Sequence, residues 1–122
     1  MAFSVNTQNN PYVDNIITST TALAAGDKDV MSGAGATCYI LDGDNSNNTV
    51  AAYLKLYNSA NPTIGTTEPD IVLKLPAQTR QSVTIGDGIA LGSALSYNLT
   101  KNVTTSDTTN TTNAVTVRIM AE

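Results

Sequence analysis

The segment of this chain most similar to a metal site is Asp42 to Asn48, where oxygen-bearing side chains stand at every second position. Calcium-binding loops begin with such a spacing of carboxylates and amides. They continue with a glycine at the sixth position and a bidentate glutamate at the twelfth, where this chain has Asn47 and Tyr53. Asp and Asn also favour turns, because their side chains hydrogen-bond the nearby backbone. We therefore favour a turn here, with ion binding as the alternative, and predict no metal ligands.

A second candidate is the glycine-rich run Gly86-Asp87-Gly88. A phosphate-binding loop would need a longer glycine signature and a helix that follows it. Neither stands in this sequence, so the run predicts a hairpin turn after a strand at Val83 to Ile85.

Nucleophilic catalysis needs a base beside the nucleophile, and the chain has no His. None of the four lysines lies three residues after a Ser. Cys38 lies in the apolar run Ala36 to Leu41, which favours a buried and inert thiol. The carboxylates mostly fall in turns. We predict that the protein is not an enzyme and has no catalytic, cofactor-binding or metal-binding residues.

Composition supports that prediction and limits the partners. The chain has 122 residues, enough for one domain, and only 13% are charged. Thr, Asn and Ser contribute 19, 13 and 9 residues in place of the missing charge. A net charge of −4 argues against binding nucleic acid. No apolar run approaches the roughly 20 residues of a membrane span, and Met1 to Gln8 lacks signal-peptide features, so we expect synthesis in the cytoplasm.

Apolar and polar residues alternate with a period of two through most of the chain, which indicates half-buried strands. Turn-forming residues separate these segments at short intervals, and helical patterns are nearly absent. The sequence predicts an all-β, antiparallel sandwich, jelly-roll-like, with seven or eight short strands and little or no helix. The candidate strands are Asn15 to Ala24, Thr37 to Leu41, Tyr53 to Tyr57, Ile71 to Leu75, Val83 to Ile85, Leu95 to Leu99 and Val115 to Ile119.

Two segments stand outside this pattern. Thr100 to Asn113 is almost entirely small and polar, which predicts a mobile loop, either solvated or ordered against a neighbouring subunit. Met1 to Pro11 is interpreted as an N-terminal arm, residues 1–11, that precedes a single sandwich domain of residues 12–122. The arm is either a frayed end or a strand added to a neighbour's sheet.

Tyr53, Lys55 and Tyr57 share one face of their strand, opposite Leu54 and Leu56. Such a stripe could bind sugar or nucleic acid. Because the protein is acidic and the stripe holds one cation, we favour ordinary packing, with the partly apolar outer face as a candidate contact with another subunit.

Five motifs follow one another between Cys38 and Ile119. They are a YLKLY strand, a P-T-x-G-T-like loop, a proline-bounded strand, a G-[IL]-A turn and a late polar loop before a terminal strand: Ala52 to Asn58, Asn61 to Thr66, Pro69 to Pro76, Val83 to Leu95 and Ser106 to Thr109. This order of motifs resembles small β-sandwich virion proteins of tailed bacteriophages. The resemblance implies a structural protein that decorates the capsid or sits at the neck, tail or fibre attachment, without catalytic residues.

The acidic charge favours the outer capsid surface over the DNA-filled interior. We therefore expect a capsid decoration (cement) protein that binds the major capsid protein on the outside of the virion and stabilises the shell. We expect a homotrimer, since closed symmetric assemblies suit three-fold capsid positions, and no contact with nucleic acid or membrane. The alternatives are a neck, tail or fibre-linked adaptor, and a carbohydrate-binding adhesive module.

Overall fold

The computed structural model describes the backbone of residues 3–7, 15–19 and 29–32, and the backbone and side chains of residues 35–122. Every regular secondary-structure element in these residues is a β-strand, which confirms the all-β prediction. Six strands have described side chains and three more are described as backbone, so the expected number of seven or eight is not confirmed. The strands are β1 Phe3–Thr7, β2 Asn15–Ser19, β3 Asp29–Ser32, β4 Ala36–Asp44, β5 Ala52–Tyr57, β6 Ile71–Leu75, β7 Arg80–Leu91, β8 Leu95–Thr100 and β9 Thr116–Ala121.

The strands form two antiparallel sheets. The first sheet has the order β1-β2-β9-β4-β7 and the second has the order β3-β8-β5-β6. Residues 35–122 contribute three strands to each sheet. The pairs are nested along the chain: β5 pairs with β6, β4 with β7, β3 with β8 and β2 with β9.

The two sheets face each other in a sandwich-like arrangement around one core. Leu54 and Leu56 of β5 point into it from the second sheet, and Val117 and Ile119 of β9 point into it from the first. All four side chains are fully buried, as alternation with a period of two requires of the inner face. The apolar halves of the predicted strands are thus the residues that hold the two sheets together.

Several predicted strands are confirmed, some with the predicted bounds and some with different ones. Ile71–Leu75 is β6 as predicted, and the predicted strand at Thr37 to Leu41 extends to Ala36–Asp44. The strand predicted from Asn15 to Ala24 is observed over Asn15–Ser19, and its remainder lies outside the described residues.

The hairpin turn predicted at Gly86-Asp87-Gly88 is wrong. These residues lie inside β7, which stays paired with β4 on both sides of them. The register passes from Cys38–Ile89 to Ile40–Thr84, so residues 85–88 form a bulge opposite Tyr39. Gly88 has a φ of 75°, which a glycine adopts without strain. A bulge and a tight turn have the same glycine-rich signature, so the sequence alone did not separate them.

The proposed N-terminal arm is only partly described. Residues 3–7 form β1, which pairs with β2 at the edge of the first sheet. The boundary drawn between residues 11 and 12 lies outside the described residues.

Candidate interaction surface

The stripe of Tyr53, Lys55 and Tyr57 faces away from the core but is not a free surface. Lys55 is fully buried, Tyr57 is 1% exposed and Tyr53 is half-buried. The residues paired with them on β8 are also buried; they are Ser96, Asn98 and Thr100. The expectation that this face is open to another subunit is therefore wrong for β5 and β8.

Two long loops, residues 58–70 and 101–113, cover this face; we call them the cover loops. The Lys55 ammonium donates a hydrogen bond to the Thr104 carbonyl (2.7 Å), and the Ser96 hydroxyl donates one to the Ser59 carbonyl (2.5 Å). The cover loops also contact each other, since the Thr105 hydroxyl donates to the Glu68 carboxylate (2.8 Å). Each loop thus supplies backbone acceptors to polar side chains of the sheet.

The second cover loop, which the sequence predicts to be a mobile segment over Thr100 to Asn113, is internally hydrogen-bonded in the structure. The Lys101 amide donates to the Thr109 carbonyl (3.1 Å), which closes the loop. Asp107 accepts hydrogen bonds inside it from the Asn102 amide and the Thr109 hydroxyl. Small polar residues cannot form an apolar core, but they can satisfy one another and the sheet below them.

The environment under the cover loops shifts the pKa of two buried groups. Burial lowers the pKa of Lys55, while the negative charge of Asp107 partly offsets this effect. Burial and the negative charge of Glu68 raise the pKa of Tyr57. The Tyr57 hydroxyl has no hydrogen-bond partner among the described residues. Both groups are therefore less able to carry charge than they would be in water.

Asp42 to Asn48 forms the end of β4 and a turn, as the favoured interpretation predicted. Asp42 is only 6% exposed and accepts three charge-assisted hydrogen bonds from the Arg80 guanidinium, the shortest at 2.8 Å. Hydrogen bonds to Asp44 from the Ser46 side chain and from the Ser46 backbone amide (3.0 Å) lower the pKa of Asp44. Both carboxylates thus serve structural contacts. Within the described residues, no three or more His, Cys, Asp or Glu side chains are grouped to hold a metal ion.

Two buried asparagines, Asn45 and Asn48, form a hydrogen-bond network with the exposed Asn113 that the sequence analysis did not predict. The Asn45 side-chain Nδ2 donates to the carbonyls of Val50 and Leu75 (3.0 and 3.1 Å). Asn48 donates to the Asn45 side-chain oxygen (2.9 Å) and exchanges hydrogen bonds with the Asn113 backbone. The segment's turn composition was a visible signal, but the partners lie up to 65 residues away along the chain.

This network supports a cleft of about 410 Å³ at one end of the molecule. Val50 lines it from the β4–β5 connection, and Lys101 and Asn102 line it from the second cover loop. Val50 is 47% exposed, and Val103, which follows Asn102, is 54% exposed. We call the cleft and Val103 the loop-end surface. It combines amides, one cation and two exposed valines.

A second hollow, about 270 Å³, lies on the outer face of the first sheet. Ile40 and Met120 supply its apolar part, and Arg118 and the Asp42–Arg80 pair supply its charges. Two arginines and one aspartate line this hollow, so its charges offset one another only in part.

The predicted inert thiol lies in the core. Cys38 is fully buried, and burial raises the pKa of its thiol to about 11. A thiol is a nucleophile only as the thiolate, so this cysteine is unreactive near neutral pH.

Comparisons of the chain with protein-family models, with curated proteins and with solved structures give no match. Among the described residues, no helix has the length and apolar character to cross a membrane.

Proposed function

We propose that this protein is a capsid decoration (cement) protein of a tailed bacteriophage, bound to the outside of the shell. The observation that carries the proposal is the nested strand pairing of its two sheets. Its partners would be the major capsid protein and two further copies of itself, in a trimer. The chain would be made in the host cytoplasm and would act on the outer surface of the virion.

The nested pairing supports a jelly roll as the finer description of the fold. If a long antiparallel ribbon with β5 and β6 at its tip is folded over itself, it pairs β4 with β7, β3 with β8 and β2 with β9. The two resulting sheets would have the orders β2-β9-β4-β7 and β3-β8-β5-β6, which are the observed ones, with β1 added at one edge. Jelly rolls occur in viral structural proteins and in lectins. This step is an analogy of fold, because one fold hosts many functions.

Among the functions that jelly rolls serve, the chemistry of the surface favours a structural role. Lys101 is the titratable residue of the cleft at the loop end, and the hollow on the first sheet holds Asp42 with two arginines, so neither offers the pair of carboxylates that acid–base catalysis would use. The sequence has few charges for its size, 13% of residues. A neutral polar surface costs little desolvation when it meets a partner, because few ions must lose their water.

The loop-end surface is our proposed contact with the shell. Its exposed valines supply apolar area, and the amides around them supply hydrogen-bond donors and acceptors. The asparagine network fixes the cleft residues in place, so binding would order few new side chains. Many copies on one shell would turn a modest contact into a firm attachment.

Sedimentation with phage particles tests the proposal. Particles that lack this protein are mixed with the purified chain and pelleted, and bound copies are counted against capsid subunits. The proposal expects binding at many equivalent positions over the shell. Copies confined to one vertex would overturn it in favour of a neck or tail adaptor. Binding to glycans instead of particles would favour the adhesive module.

Paired variants locate the contact. Val103→Asp, on the loop end, should abolish sedimentation with the shell. Val72→Asp is the matched control: Val72 is also an exposed valine, 39% exposed, but lies on β6 outside the loop-end surface. Equal loss of binding in both variants would exclude the loop end as the specific contact.

A further inference from the structure

Lys55 and Asn98 are direct neighbours across the second sheet. Lys55 of β5 and Asn98 of β8 are register partners in an antiparallel pair. Side chains of directly opposed residues leave the sheet on the same face, with Cβ atoms about 5 Å apart. Lys55 is 0% exposed and Asn98 is 1% exposed. An amine and a carboxamide are therefore confined side by side beneath the cover loops.

The lysine is unusual because it is buried with little to offset its charge. Its ammonium donates to the Thr104 carbonyl (2.7 Å), but the ion pair found within the described residues joins Arg80 to Asp42. Burying an ammonium without a directly paired carboxylate is unfavourable. A reaction that removed the charge would relieve that cost.

The surroundings also favour the reactive form of the amine. Burial lowers the pKa of Lys55, which increases the fraction present as the neutral nucleophile. Asp107 of the second cover loop is close enough for its charge to act on Lys55. Asp107 is the carboxylate whose charge acts on Lys55, so the proposed reaction assigns the proton transfer to it once it approaches the amine.

We propose that Lys55 and Asn98 join in an intramolecular isopeptide bond, which makes this pair a self-modification site. The neutral Nζ attacks Cγ of Asn98, a new C–N bond forms, and the bond from Cγ to Nδ2 breaks. Asp107 relays the proton of the lysine ammonium to the departing nitrogen. The balance is one ammonium and one carboxamide giving one secondary amide and one ammonium ion, without an oxidant or a co-reactant.

The reaction is slow in solution, and holding the two groups next to each other in the folded protein accelerates it. Well-oriented groups within one molecule react as if present at about 10⁵–10⁸ M. The four-carbon stem of lysine spans the gap to the neighbouring strand once Nζ turns from Thr104 towards Asn98. The cover loops exclude water from the site, and the amide product carries no charge that must be buried. The bond would tie β5 to β8 independently of any capsid partner.

Intact-mass measurement on the folded, purified chain tests the proposal. The expected mass is that of the sequence minus one ammonia, after incubation at neutral pH. Trypsin cannot cleave after a lysine in isopeptide linkage, so digestion should give residues 29–74 joined to residues 81–101. A wild-type mass equal to that of the unmodified sequence would overturn the proposal without any variant being made.

Variants separate this bond from ammonia loss elsewhere, such as succinimide formation at another asparagine. Lys55→Met and Asn98→Leu should each restore the full mass and release the separate tryptic peptides. Lys74→Arg changes an exposed lysine on neighbouring β6 and should keep the mass loss. Mass loss that persists in Lys55→Met, or that maps to another residue by fragmentation, would count against the bond.

Discussion

The side chain of Asn48 and the backbone of Asn113 exchange two hydrogen bonds. The Asn113 amide donates to the Asn48 Oδ1 (2.8 Å), and the Asn48 Nδ2 donates to the Asn113 carbonyl (3.0 Å). A side-chain amide thus pairs with a peptide group as a strand neighbour would. The contact joins the turn after β4 to the end of the second cover loop, on which the cleft at the loop end depends.

Asn48→Asp should destabilise the fold by roughly 2 to 4 kcal/mol, measured by urea unfolding. The carboxylate can still accept from the Asn113 amide, but it cannot donate to the Asn113 carbonyl or to the Asn45 side chain. Asn47→Asp is the control, because Asn47 is exposed and its side chain is not part of the network. Equal unfolding free energies for both variants would contradict this role of Asn48.

Gly43 of β4 should not accept a side chain. An added Cβ would lie 2.5 Å from a methyl carbon of Leu75, which is fully buried. Gly43→Ala should therefore cost about 1–3 kcal/mol through overpacking between the sheets. Gly86→Ala, in the bulge of β7, meets nothing within 4 Å and should leave the thermal midpoint almost unchanged. A stable Gly43→Ala protein would mean that the sheets are less tightly packed than described.

The second cover loop should loosen in acid because of Asp107. Burial alone would raise the pKa of Asp107, but hydrogen bonds from Thr109 and Asn102 bring it below the ordinary value of 3.8. A carboxylate whose pKa is lower when folded stabilises the fold above 3.8, and this stability is lost as pH falls through the lower, folded-state pKa. Hydrogen exchange of residues 101–113 should therefore accelerate in that acid range.

Asp107→Asn should remove this acid dependence, since it leaves no group to protonate. Asp87→Asn, at an exposed position in the β7 bulge, should retain it. Acid-accelerated exchange that is the same in Asp107→Asn and in the wild type would assign the effect to another carboxylate.

Cys38 should react with thiol reagents only when the protein unfolds. Burial in the core raises the pKa of this thiol to about 11 and blocks access to it. Labelling in native buffer should be slow and should follow the unfolding rate, whereas the chain in urea should label at the rate of an ordinary cysteine. Rapid labelling of the native protein would contradict the described core.

How far the sequence predicts the structure depends on the kind of residue. Alternation located the strands around Leu54, Leu73 and Val117, since a period of two is a local property of the chain. It also left the face of Lys55 as a candidate contact with another subunit, but that face is buried, because whether it is exposed depends on loops distant in sequence. The bulge at Gly86 and Gly88 was taken for a turn, because both structures draw on the same residues.

The amino-acid sequence by itself determined the all-β class, the inward faces of the strands and the scarcity of groups for catalysis. These depend on the period of the apolar residues and on which residue types are present. Only the tertiary structure decided that polar loops cover the second sheet, that asparagines 65 residues apart share hydrogen bonds, and that Lys55 lies opposite Asn98. Hydrogen bonds between small polar residues carry no periodic signature, so their partners become visible only when the sheets have brought distant segments together.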